Sequence, residues 1–208
     1  MSATEVFDNP NVALMKGMVR TVFPHLKWRW HGIGVLQAYV FEGDYEARVH
    51  IWAKDLMLPG IDVSGDIHNH RFKMRSHILV GELEHHEYDV EIGGDGYDVY
   101  DFVHAREHTN ENRSDMRLLP SQVGATVTGH QFCSGESYTF ERGAFHRSNP
   151  HESSYVVVTL VEKMDQRDER AKVLAPHGKP PVPAFSGGSV NSLVQEEVLA
   201  AAFDLLRA

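Results

Sequence analysis

Three histidines in this chain have the spacing of a metal site. His68 and His70 flank Asn69. Residues two apart on a strand project to the same face, so both rings can point the same way. His146 closes a run that reads Gly135-Glu136-Ser137-Tyr138-Thr139-Phe140-Glu141-Arg142-Gly143-Ala144-Phe145-His146-Arg147-Ser148-Asn149. It follows a glycine-bearing turn and can reach the pair from a neighbouring strand. Three neutral imidazoles hold a divalent transition metal and leave positions open for substrate and for oxygen or water. Such a centre would make the chain an enzyme rather than only a β-rich binding domain.

The elements that must carry these rings are mostly strands. Residues 10–23 predict a short helix opened by Pro10, with Val12, Met15, Val19 and Val22 on its apolar face and Pro24 closing it. From about Gly34 to Trp52 the pattern has period two, broken by Glu42-Gly43-Asp44 as in a hairpin. Further short strands are expected near 63–69, 76–91, 97–103, 123–132, 136–141 and 154–162. Many short strands with turn residues between them suggest a sandwich or a small barrel. Residues 104–121 read as an inserted loop or cover, and 174–188 as a Pro- then Gly-rich linker. A last helix is expected over 189–208, starting near Ser192 with Gln195 as capping partner. Its stripe of Leu193, Val194, Val198, Leu199, Ala202, Leu205 and Leu206 must bury against its own barrel or against a second copy, as in a homodimer. Residues 1–173 then form a single domain with an N-terminal helical extension.

Composition narrows the class. With 208 residues and 42% hydrophobic content, one domain with a sizeable core is expected. The formal charge of −9 argues against nucleic-acid binding. No apolar run is long enough to span a membrane, and the first residues lack a signal-peptide pattern. Cys133 has no partner for an internal disulfide, which fits a reducing cytoplasm. By default it reads as a buried, inert thiol. The 14 histidines are the compositional anomaly.

Gly135, Gly143, His146 and Asn149 fall at intervals of eight, three and three, and Gly81 lies eleven residues after His70. In these spacings the segment of roughly 60–162 resembles the two motifs of the cupin superfamily. The resemblance implies a mainly β fold, the cupin double-stranded β-helix barrel (a jelly roll). It places His68, His70 and His146 inside, on a metal. The usual glutamate of the first motif is replaced here by Met74 or Arg75, neither a suitable ligand, so a carboxylate-free three-histidine sphere is expected. That sphere resembles the thiol dioxygenases (cysteine dioxygenase and relatives) and the diketone-cleaving dioxygenase. Ser76-His77 followed by an apolar run to Gly81 is also similar to the thiol dioxygenase segment, in which Arg48 would match an arginine that pairs with the substrate carboxylate. The chain departs from the animal-type enzyme at Ile78, where a cysteine is usual. It also lacks the Ser-His-Tyr signature, reading Val156-Val157-Val158-Thr159-Leu160-Val161 instead.

The expected function is a metal-dependent, non-haem Fe(II) dioxygenase acting with dioxygen on a small anionic thiol, organic acid or enolisable ketone. Zn, Ni, Mn or Cu would serve a non-oxidative isomerase, lyase or hydrolase. The third reading is a small-molecule-binding cupin without turnover. Arg48, His77 and Tyr138 are the candidates for catalytic roles. The plainer readings are a strand arginine, a hydrogen-bonded strand histidine and a packing tyrosine. His50 reads as a satisfied interior residue, and His85-His86 as a strand pair with surface placement. His104, His108 and His130 are candidates for a lid. Gln131, Ser137, Glu141 and Asn149 are candidate acceptors for the ligands' second nitrogens.

Overall fold

The computed structural model describes residues 4–31, 35–43, 46–53, 67–104, 114–167, 170–181 and 192–208. Among them the chain runs β1 (Thr4–Asp8), α1 (Val12–Val22), a 3₁₀ turn (Phe23–His25), β2 (Arg29–Trp30), β3 (Leu36–Phe41) and β4 (Glu46–Ala53). It continues through β5 (Ile67–His68), β6 (Lys73–Val80), β7 (Glu82–His104), β8 (Ser114–Cys133), β9 (Glu136–Phe140), β10 (Phe145–Pro150), β11 (Val156–Met164), β12 (Lys172–Pro176) and α2 (Ser192–Arg207).

The fold is mainly β with two helices, and all pairings are antiparallel. The strands form two hydrogen-bonded layers. One has seven strands in the order β1-β9-β6-β11-β4-β3-β2, and the other holds β10, β5, β12, β7 and β8. They share the apolar cluster of Met74, Ile78, Tyr138, Phe140, Val157 and Val161 from the first sheet and Leu83 and Phe132 from the second.

β11 shows why the layers stack as they do. Val156 to Val161 are all buried, as a continuous apolar run requires both faces to be covered. Val157 and Val161 point between the sheets. Val156, Val158 and Leu160 point the other way, into a second cluster with Val12 and Val19 of α1 and Val198, Ala202 and Leu206 of α2. Phe23 stacks on Phe203, ring centroids 5.3 Å apart, and ties the helices together. Val194, Val198, Leu199, Ala202 and Leu206 of the α2 stripe thus pack on the chain's own sheet, while Leu205 is exposed.

Both helices fall where the sequence predicts them, with Pro24 absorbed into the 3₁₀ turn rather than ending the chain's helical path. Two expectations about the connections are corrected. Residues 114–121 are not loop but the first part of β8, paired with β7. Leu174, Ala175 and Pro176 are not linker but the end of β12. Residues 105–113 and 182–191 lie outside the described residues, so His108 and most of the expected linker do too.

A glycine sets the break between β6 and β7. Gly81 has φ +80°, and a Cβ there would lie 2.7 Å from the Val156 carbonyl oxygen. Glycine alone takes this backbone without strain.

Candidate metal centre

β5 is two residues long, and its register puts His68 directly opposite His146 of β10. His70 follows on the same side. The turn that delivers His146 is pinned to this segment. Gly143, at φ +81°, donates its amide to the His70 carbonyl at 3.0 Å. Asn69 is buried and works in two directions: its Nδ2 donates to the Gly143 carbonyl at 3.1 Å, and its Oδ1 accepts from the Lys172 amide at 2.6 Å.

The three expected ligands converge. Ring centroids lie 4.7 Å apart for His68 and His70, 4.6 Å for His68 and His146, and 4.9 Å for His70 and His146. One nitrogen from each lies within 4.8 Å of the others. Three donors bonded at about 2.1 Å to one tetrahedral ion are about 3.4 Å apart, so ring movements on the order of an ångström close the set. Burial, reinforced by the neighbouring imidazoles, holds His70 and His146 well below the usual histidine pKa. They are neutral at pH 7 and present lone pairs, as metal ligation requires. Among the described residues this is the one cluster of metal-ligand side chains with such geometry, and it contains no carboxylate. Met74 lies in the apolar cluster between the sheets, and Arg75 is 3.8 Å from Glu162. The donor set thus fits a divalent transition ion.

The surrounding rings fix the ligands. Phe72 stacks on His70 at 4.6 Å, Phe140 meets His146 edge-on at 4.6 Å, and His85 stacks on His146 at 5.1 Å. Only one of His85 and His86 could face inward, with surface placement favoured from sequence; His85 is the inward one and is fully buried. It shares the inward face of β7 with Leu83 and Glu87. Its Nδ1 is 2.9 Å from Ser148 Oγ, its Nε2 is buried without a hydrogen-bond partner, and burial lowers its pKa to about 3. Glu87 stands opposite His146 in the β7–β10 register and 3.8 Å from His130. His130 therefore belongs to a strand facing His85, not to a lid.

Tyr138 is buried between the sheets, its ring stacked on Phe132 at 4.1 Å and 5.0 Å from His85. Its hydroxyl bonds Ser76 and Ser148, and burial pushes its pKa up to about 12. His85 separates it from His146, so the phenol reaches the ligands through Ser148 and His85.

His77 does not join the cluster. It shares the face of β6 with Leu79, which packs in the helix-covered core. Its Nδ1 is 2.7 Å from Ser137 Oγ and its Nε2 2.9 Å from Glu162 Oε2. The parity of β6 turns it away from the inter-sheet space, so its observed contacts are those of a hydrogen-bonded strand histidine apart from the three expected ligands. The expected acceptors for the ligands also go elsewhere. Ser137 is on His77, Glu141 on Lys73 and Gln131 on Glu82. Asn149 lies on the face of β10 opposite His146. Cys133, expected buried, is exposed.

β4 inverts the ordinary polarity of a half-buried strand. Ala47, Val49 and Ile51 face the helices, which leaves Glu46, Arg48, His50 and Trp52 facing inward. Arg48 lies 2.5 Å from Glu46, with its guanidinium 4.5 Å from the Tyr39 ring centre. His50 was expected to be satisfied, but its Nε2 is buried without a partner.

A 430 Å³ surface pocket lies elsewhere, on the β7–β8 ribbon, lined by Asp98, Leu118, Gln122 and His177 among others. Its polar groups are mutually engaged, with Asp98 2.9 Å from His177 Nδ1 and accepting from the Gly178 amide at 2.9 Å. No helix among the described residues is long and apolar enough to cross a membrane.

No protein-family model matches the chain, and neither does any curated protein. Among solved structures it is similar to Streptomyces albus HEPD with 2-hydroxyethylphosphonate and Fe(II) bound, at 7% identity and TM-score 0.38. That match covers 84% of this chain but only 30% of the other. FeII HppE is similar at 13% identity and TM-score 0.32, over 65% of this chain and 56% of that one. The DMSP lyase DddQ from Ruegeria pomeroyi DSS-3 is similar at 12% identity and TM-score 0.31, over 89% and 85%. Likenesses this remote assign no family, and the centre is defined by its own three imidazoles.

Proposed function

We propose that this chain is a metal-dependent oxidoreductase, a non-haem Fe(II) dioxygenase acting on a small anionic organic substrate: a thiol, an organic acid or an enolisable ketone. The observation that carries this reading is the convergence of His68, His70 and His146 in a carboxylate-free set, with burial holding His70 and His146 well below the usual histidine pKa. A ferrous ion bound there would supply Lewis acidity and redox chemistry toward dioxygen.

The chain's own residues do the rest. Neutral ligands leave the charge of a bound cation uncompensated, so an anionic substrate is favoured over a neutral one. Arg48 supplies a fixed cation on the inward face of β4 and suits a carboxylate or related oxyanion. Phe72, Phe140 and Phe132 keep the neighbourhood apolar, which strengthens every charge interaction inside it. His85 presents an unpartnered Nε2 beside His146, available to a polar group of the substrate. Ser148 and Tyr138 hold that ring in place from behind.

The direct test is anaerobic reconstitution with ferrous iron, then oxygen-uptake measurements over short thiols, 2-oxo and hydroxy acids, and β-diketones. Uptake with one class, abolished in His146→Ala, is the expected result. Protein holding one equivalent of iron that consumes no oxygen with any of them overturns the dioxygenase reading.

The donor set also suits zinc, for which three histidines and an open position make a hydrolytic or lyase centre. Elemental analysis of freshly purified protein separates the two readings: iron supports the first, and zinc, nickel or manganese the second.

A further inference from the structure

One side of the inter-sheet space carries more positive than negative charge. β4 and β11 run antiparallel with Lys163 opposite Glu46 and Val161 opposite Arg48. Val161 packs between the sheets, so Lys163, two residues on, shares its inward face. Glu46 Oε1 serves both cations at once, 2.5 Å from Arg48 Nη2 and 2.6 Å from Lys163 Nζ. Two cations on one carboxylate leave an excess of one positive charge. Arg48 is 16% exposed and Lys163 11% exposed at the side chain, so water neutralises little of that excess.

Hydrogen-bond capacity is in excess too. A guanidinium has five donors and an ammonium three. Arg48 Nε is buried without a partner, and so is Nε2 of His50 two residues further along β4. Leaving buried polar groups unpaired costs stability, and a bound water, ion or ligand group relieves that cost. The cluster also connects physically to the three histidines. Lys163 Nζ lies 4.6 Å over the Phe72 ring, and that ring also stacks on His70 at 4.6 Å. Burial and the Arg48 charge lower Lys163 to about 8, so it is still mainly cationic at pH 7.

We propose that Lys163 and Arg48 form a paired-cation subsite for an oxyanion group of the substrate, a carboxylate or a phosphonate, and that Glu46 is a resident carboxylate competing for the same donors. This deepens the reading of the three-histidine centre as the place where an anionic substrate reacts, and rests on it for the word substrate. The anion affinity itself does not depend on the metal. Glu46 keeps the cations paired when no ligand is present, and an incoming oxyanion takes up Arg48 Nε and the remaining lysine N–H groups. A neutral analogue leaves those donors unpaired and is rejected.

The test is calorimetric titration of the full chain at pH 7 with acetate and, separately, with methylphosphonate. It is run on wild type, Lys163→Met, Lys163→Arg, Arg48→Met, Glu46→Gln and His68→Ala, each checked for its thermal transition. At least one probe should bind wild type. Lys163→Met and Arg48→Met should each weaken that probe about tenfold or more, Lys163→Arg should stay near wild type, and Glu46→Gln should bind more tightly. The preferred probe tells carboxylate from phosphonate. His68→Ala should lose metal yet keep the probe. That outcome separates a failure of the metal reading, which leaves the titration intact, from a failure of the subsite. No binding of either probe to wild type, or unchanged affinity in a folded Lys163→Met, overturns the proposal.

Discussion

The ring of His85 stacks on the ring of His146, centroids 5.1 Å apart and planes inclined by 27°. Because His85 is itself anchored through Nδ1 to Ser148, it fixes the orientation of the ligand it touches. Groups that orient a metal ligand without binding the ion are typically worth ~10- to 100-fold in affinity. His85→Ala should lower affinity for Zn(II) or Fe(II) by that order, and His85→Phe, which keeps the stack, should recover most of it. Competition against a chromogenic chelator measures both.

His146 and His77 are both buried histidines on strands, yet their replacements should fail differently. His146→Ala should reduce bound metal from one equivalent to none by elemental analysis, with the fold retained. His77→Ala should leave metal content unchanged. It removes the bonds to Ser137 and Glu162 and should cost about 2–3 kcal/mol in chemical denaturation. Loss of metal in His77→Ala with an intact fold would contradict the face assigned to it.

Acid should unfold the metal-free protein through its neutral histidines. His70, His85 and His146 have folded pKa values below the usual 6.5, that of His85 near 3, chiefly through burial. Above about pH 6.5 the unfolded chain's imidazoles are neutral too, and no stability is lost. Below it the unfolded chain takes up protons that the folded chain refuses. Stability should fall by about 1 kcal/mol per pH unit for each such group, continuing toward pH 3 for His85. Denaturation midpoints at pH 7, 6, 5 and 4 measure the slope. A flat profile would mean that these rings are accessible to protons.

Gly81→Ala should be among the most damaging single-methyl changes in the chain. The positive φ and the 2.7 Å approach to the Val156 carbonyl act together. A cost of about 2–4 kcal/mol is expected, seen as a lowered thermal midpoint. Gly135→Ala has positive φ but open space around the added methyl and should cost clearly less.

The parts of this molecule legible in the sequence are those written in local pattern. The proline-bounded first helix, the stripe of α2, the β3–β4 hairpin and the His68-His70-His146 set all follow from spacing, and all are found in place. The cluster's other members were hidden because strand parity identifies two faces without saying which is inward. His85 and His86 were indistinguishable for that reason, and His77 was read from its neighbours in sequence when its register with Leu79 placed it outside. Lys163 closes a strand that looks like an ordinary apolar run with a charged end. Its role depends on Glu46, more than a hundred residues away. On β4 the usual expectation reverses: helices cover the apolar face, so the charged face turns inward. Residues 114–121 looked like a loop because they are polar, but an exposed two-stranded ribbon needs no apolar alternation once its backbone is paired.

The middle position of His68-Asn69-His70 is conventionally a wildcard in a motif of this kind. Here the Asn69 amide clasps the glycine turn on one side and the start of β12 on the other. A third letter is thereby written into the two-histidine signature. Searches or grafts that preserve only the outer pair would transplant the donors without the splint that sets their bearing toward His146.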